Sequence, residues 1–110
     1  MARTLLNVPK QAKAGEVIEI RALIQHPMET GYRPGPDGKT LPRDIIRRFE
    51  CRYDDGATNE MIFGAELAPA IAANPYLAFH LIATKSGKLT FTWEGDNGFA
   101  QTETVALKVV

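Results

Sequence analysis

The run KLTFTWEGDNG at residues 88–98 decides the fold. Leu89, Phe91 and Trp93 alternate with Lys88, Thr90, Thr92 and Glu94, which is the period of two expected of a strand with one buried face. Asn97-Gly98 follows, a pair suited to a type I′ turn because both central residues must take φ above zero. A second alternating run over 99–109 then sets Val105, Leu107 and Val109 on one side. Strand, tight turn and strand make a hairpin, and this punctuation recurs at Ala14-Gly15, Asp55-Gly56 and Ser86-Gly87.

Between these turns the sequence predicts seven strands, near 3–8, 16–26, 45–54, 57–67, 76–85, 88–95 and 99–109. Ile18, Ile20, Ala22 and Ile24 share one side of the second, with Glu19, Arg21 and Gln25 opposite. Phe49, Cys51 and Tyr53 lie together, as do Met61, Phe63, Ala65 and Leu67, and then Leu77, Phe79, Leu81 and Ala83. Seven short strands with one apolar face each must bury those faces against one another. The expected architecture is therefore all-β, an immunoglobulin/fibronectin-III-like sandwich of about seven antiparallel strands in one domain over residues 1–110. Pro69 and Pro75 prevent a long helix over 67–75, so that stretch reads as a loop crossing between sheets.

The longest interruption is HPMETGYRPGPDGKTLPR at 26–43. Pro27, Pro34, Pro36 and Pro42 alternate with Gly31, Gly35 and Gly38, which excludes helix and central strand. Loops beyond about 12–15 residues usually carry function or are disordered, and four prolines restrict the second option. The stretch reads as a shaped surface element.

Composition narrows the function classes. Thirteen basic residues balance thirteen acidic ones, against the clustered charge of a nucleic-acid or anionic-membrane surface. One cysteine excludes an internal disulfide framework. No apolar stretch approaches the ~20 residues needed to span a bilayer, and the start has no signal-peptide apolar region. Cys51 is the only thiol, but its alternation sets it beside Phe49 and Tyr53 on the apolar face, and free Cys is among the most buried residue types. His26 and His80 lack metal-pair spacing, and two His with one Cys fall short of a zinc site without scattered carboxylates. His26 reads as a satisfied buried imidazole. The Glu94-to-Gly98 turn is acidic but lacks the ligand count of a calcium loop. Tyr76, Ala78, His80 and Ile82 form a partly apolar stripe on the side a free sandwich should expose, a pattern that marks either a protein contact or a strand covered by a loop.

HPMETG at 26–31, Asp37-Gly38-Lys39, and Leu41-Pro42-Arg43 leading into Ile45-Ile46 resemble the SoxZ family of thiosulfate-oxidation proteins. Asn74-Pro75-Tyr76-Leu77-Ala78-Phe79, Ser86-Gly87 and Trp93 followed by Asp96-Asn97-Gly98 do so as well, in order along the whole chain. The resemblance implies an immunoglobulin-like sandwich, no cofactor and no catalysis. It implies a heterodimer with SoxY, whose cysteine in a flexible C-terminal arm carries sulfur intermediates, and transient contacts with other sulfur-oxidation enzymes. It further implies a periplasmic protein, exported folded with a partner that bears the signal. This chain ends in Thr104-Val-Ala-Leu-Lys-Val-Val110 without a glycine-rich cysteine tail, so it looks like the non-carrier subunit. The expected docking surface combines the 27–43 loop with the 68–75 crossing. Met28, Glu29, Tyr32, Arg33, Arg43, Asn74, Tyr76 and His80 are its candidate contact residues. Without its partner, an uncovered stripe or edge strand would favour a homodimer. The alternatives are a small thiol enzyme using Cys51 with a histidine base, or an unrelated sandwich module that binds a surface ligand.

Overall fold

Eight strands stack as two sheets in the structure, a computed structural model that describes residues 2–110. They are β1 (Thr4–Asn7), β2 (Gln11–Ala12), β3 (Val17–Ile24), β4 (Ile46–Asp54), β5 (Asn59–Glu66), β6 (Tyr76–Ile82), β7 (Gly87–Gly95) and β8 (Ala100–Val109). One sheet has the order β1-β3-β6, and the other β2-β8-β7-β4-β5. The sandwich expected from the alternation is therefore present. The addition is β2, two residues that pair in parallel with β8, too short to produce a period of their own.

The inner faces fall where the alternation sets them. Ile18, Ile20, Ala22 and Ile24 of β3, with Phe79 and Leu81 of β6, close down on Phe49, Cys51 and Tyr53 of β4 and on Leu89, Phe91 and Trp93 of β7. Phe49 is the hub: its ring centroid lies 5.3 Å from Trp93, 6.1 Å from Phe79 and 6.1 Å from Phe63. Phe63 of β5 and Phe79 of β6 stack at 4.3 Å, joining an edge strand of each sheet. Leu67, half-buried, packs against this core just beyond β5.

Two local expectations need correction. Met61 does not join the inner face but is 48% exposed. The β4–β5 register slips between Cys51 and Arg52, so Cys51 opposes Phe63 while Arg52 opposes Met61. One extra residue on β5, a β-bulge, turns Met61 outward. Asp55-Gly56 is not a type I′ turn, since Gly56 alone has positive φ. The Asp55 carboxylate instead accepts from the Ala57 and Thr58 amides at 2.9 and 2.8 Å, so a side chain organises that loop. Asn97-Gly98 does have both φ values positive, 59° and 73°, and the Phe99 N–H donates to Asp96 O across the turn.

The 27–43 stretch folds back on itself as a narrow arm. Glu29 and Asp44 exchange both backbone hydrogen bonds at 2.8 Å, and the Leu41 N–H donates to Arg33 O at 2.8 Å. Gly31 sits at the root with φ +87°, where a Cβ would lie 3.0 Å from Arg43 Cβ. The molecule extends 58 × 21 × 20 Å. A nine-residue strand reaches only about 30 Å, so loops at the ends of the sandwich supply the rest of its length.

Candidate functional site

The outward side of the three-stranded sheet is the candidate site. Antiparallel register aligns Val17 with Ile82, Glu19 with His80, Arg21 with Ala78 and Leu23 with Tyr76, and β1 extends the last row through Leu5 opposite Leu23. All point away from the core because Ile18, Ile20, Ala22 and Leu81 alternate with them inward. Leu5, Val17, Tyr76 and Ile82 are 68, 60, 54 and 57% exposed, half of the large hydrophobic side chains that are exposed among the described residues. Neither a loop nor a bulge intervenes, since β3 and β6 pair without a register slip. The stripe foreseen on β6 is thus one edge of a wider apolar face.

A charged row crosses this face. Glu19 Oε1 accepts from Arg21 Nε at 2.6 Å, and Glu19 Oε2 lies 3.7 Å from His80 Nε2. That bond, together with the Glu19 charge, raises the Arg21 guanidinium above its usual value. Polar groups that satisfy one another leave the apolar residues on either side available for a partner.

Of the eight expected contact residues, the structure brings two to this face, Tyr76 and His80. Asn74 stands at its end with φ 54°, its Oδ1 accepting from the His26 N–H at 3.0 Å while its own N–H donates to His26 O at 2.8 Å. That reciprocal pair ties the 68–75 crossing to the root of the arm, so the arm and the β6 stripe leave from the same end of the sandwich. Tyr32 is 81% exposed on the arm, and Arg33 grips Glu29 through Nη2–Oε1 at 2.6 Å. The Arg33 bond holds the Glu29 carboxyl below the usual carboxylate range. Arg43 is exposed but engaged by Asp96, with Nε and Nη2 donating at 2.8 and 2.9 Å.

Met28 is a correction. It is 4% exposed, packs in the core and lies against the Ile46 N–H, 3.2 Å from its sulfur. Its φ of 51° turns the chain sharply behind Pro27 and drives the side chain inward, which alternation cannot anticipate in a loop. It anchors the arm and offers nothing to a partner.

His26 is buried as expected: Nδ1 accepts from the Met28 N–H at 3.0 Å, and the ring packs edge-on to Phe99. Cys51 is fully buried, and desolvation pushes its thiol up to about 12. A thiol so raised is not a thiolate near neutrality, and the thiol-enzyme alternative loses its nucleophile. Among the described residues no three His, Cys, Asp or Glu side chains come together as metal donors.

Sequence reasoning missed Leu5, Val17 and Leu23. The alternation puts all three on outward faces, but only the β1-β3-β6 strand order makes them neighbours of Tyr76 and Ile82.

The model of the family described as "Sulphur oxidation protein SoxZ" matches residues 6–106. The chain belongs to the SoxZ family. No curated protein matches it. Among solved structures, a superoxide reductase (neelaredoxin) from Ignicoccus hospitalis is similar with a TM-score of 0.76 at 18% identity, covering 99% of this chain and 82% of that one. The sulfur carrier protein SoxY from Chlorobium limicola f thiosulfatophilum has a TM-score of 0.68 at 12% identity, covering 97% and 78%. A putative superoxide reductase from Thermotoga maritima has a TM-score of 0.70 at 12% identity, covering 97% and 85%. At these identities the likeness is one of fold, and SoxZ membership rests on the family match. A SoxZ-family chain thus shares its sandwich with a SoxY carrier protein.

Proposed function

We propose that this SoxZ-family chain is the non-catalytic subunit of a periplasmic heterodimer in thiosulfate oxidation. Its partner is a SoxY-like subunit that carries sulfur intermediates on a cysteine, and this chain binds and presents it to visiting enzymes. The observation behind the reading is the uncovered apolar face of β1-β3-β6, with Leu5, Val17, Leu23, Tyr76 and Ile82 in aligned rows. Large apolar surfaces on a small soluble domain mark protein contacts. Interfaces favour aromatic anchors such as Tyr76 near their centre. The arm, leaving from the same end, extends the surface with Tyr32 and Arg33. Deep burial of Cys51 supports a subunit without bond-making chemistry of its own.

Co-purification with a SoxY-like subunit whose tail ends in a glycine-flanked cysteine is the test. A stable 1:1 complex is expected, and Tyr76→Ala should weaken it about thirtyfold, the effect of losing an aromatic anchor worth about 2 kcal/mol. A complex indifferent to Tyr76→Ala overturns the choice of face, and no complex at all overturns the function. Without its partner the same face pairs two copies of this chain, which sedimentation of the isolated protein reads directly.

A further inference from the structure

A second feature lies apart from that face, at the start of β4. In a regular strand Arg47 and Arg48 would point to opposite sides. Here the β4–β7 register slips between Ile46 and Arg48: Ile46 opposes Gly95, Arg48 opposes Glu94, and Arg47 has no partner on β7. This bulge lets two consecutive arginines line one groove. Arg43 joins them from the base of the arm, and Leu67, whose N–H donates to Arg47 O at 2.8 Å, lines the same groove of about 480 Å³ with Ala68 and Pro69. Glu66 is its single acidic lining residue. Bulges of this kind recur beside functional sites because they re-aim a side chain.

The arginines are held from behind. Asp96 accepts from Arg43 Nε and Nη2 at 2.8 and 2.9 Å and lies 3.1 Å from Arg47 Nε. Arg47 Nη2 donates to Gly95 O at 3.3 Å, and Arg48 Nη2 donates to Glu50 Oε2 at 3.3 Å and lies 3.5 Å from Met61 Sδ. Partial desolvation acts to raise the Asp96 carboxyl, but the Arg43 bonds, the Ile45 N–H and the Arg47 charge outweigh it and hold it below the usual range. Among the described residues no hydrogen bond uses Nη1 of Arg43, Arg47 or Arg48. Three oriented guanidinium groups with free donors match a planar or tetrahedral oxyanion, which accepts several parallel N–H bonds.

We propose that this groove is a binding subsite for a sulfur oxyanion group, sulfate- or sulfonate-like. The apolar wall of Leu67 and Pro69 leaves room for the group to arrive either free or on a longer carrier. The ligand class rests on the sulfur-oxidation reading, whereas the site rests on the arginine geometry. Binding is measured on the isolated chain, so failure of the subsite and failure of the partner complex are read separately.

Sodium sulfate and sodium thiosulfate are titrated into the isotope-labelled intact chain at ionic strength fixed with sodium chloride. The Arg Nε–Hε signals and the Arg47, Arg48 and Leu67 amides are followed. Saturable shifts are expected, with Kd on the order of 1–10 mM as befits a solvent-exposed site. Arg48→Gln, which leaves the Asp96 clamp intact, should weaken binding at least fivefold, and Arg52→Gln, at a side chain that bonds Asn59 outside the groove, should change nothing. Equal shifts with chloride alone, or equal loss in Arg52→Gln, overturn the proposal. A glycine-rich peptide bearing S-sulfocysteine separates the sources. Tighter binding than sulfate assigns a carried group, equal binding assigns the free anion, and equal binding of the peptide without its sulfo group overturns the oxyanion assignment.

Discussion

The two outward faces of the sandwich are written in different residues. On the five-stranded sheet the outward rows pair Thr90 with Arg52 and Thr104, Thr92 with Glu50 and Thr102, and Lys88 with Asp54. Thr92 and Thr102 bring their hydroxyls to 3.4 Å, and Arg48 and Glu50 pair along β4. On the three-stranded sheet the outward rows are Leu5-Leu23-Tyr76 and Val17-Ile82, with Glu19, Arg21 and His80 between them. Both sheets bury apolar inner faces, so folding alone does not explain the contrast. A face written in Thr, Arg and Glu is finished when water covers it. A face written in Leu, Val, Tyr and Ile lowers its free energy only by covering itself with protein.

The largest effect comes from uncoupling the two sheets beneath these faces. Phe79 reaches across to Phe49 and to Phe63, so Phe79→Ala should cost about 3–5 kcal/mol in denaturant unfolding. A loss below about 1 kcal/mol would mean that the sheets are not joined there.

An exchange of residues between the faces tests the comparison itself. Ile82→Thr should weaken the partner complex about tenfold while moving stability by no more than about 0.5 kcal/mol, because the side chain is 57% exposed in the free chain. Thr92→Ile, on the polar face, should leave partner affinity unchanged. Equal losses from both would erase the distinction, and calorimetric titration of each variant measures it.

Alkali gives the smallest effect and probes the core that the faces share. The folded Cys51 thiol lies at about 12, against about 8.5 in the unfolded chain. The unfolded state therefore loses its proton first. The stability contributed by the neutral thiol is complete below pH ~8.5 and declines as pH rises toward the folded value. Denaturation midpoints at pH 8 and pH 9 should differ for the native chain and converge in Cys51→Ala. In native protein at pH 8, labelling of Cys51 should run at the rate of unfolding.

Much of the fold was legible because alternation is local: each strand declares its two sides through its own residues, as β3, β6 and β7 do here. Asn97-Gly98 was legible for the same reason, since only a residue pair that tolerates positive φ fits that turn. Met61 and Met28 were not. A bulge turned one outward and a left-handed backbone turned the other inward, and neither event leaves a mark in the hydrophobic pattern. Of the proposed docking surface, Tyr76 and His80 could be picked from β6 alone. Leu5, Val17 and Leu23 could not, because their grouping depends on which strands are neighbours.

The amino-acid sequence by itself determined that this chain is an all-β sandwich, where most of the core residues fall, and that Cys51 is one of them. These follow from a period of two and from turn chemistry, both properties of short segments. The tertiary structure alone decided that β1, β3 and β6 align their outward apolar residues into one face, and that a slipped register turns Arg47 and Arg48 toward a common groove. Strand order and register arise from contacts between residues far apart in the chain, and no short segment encodes them.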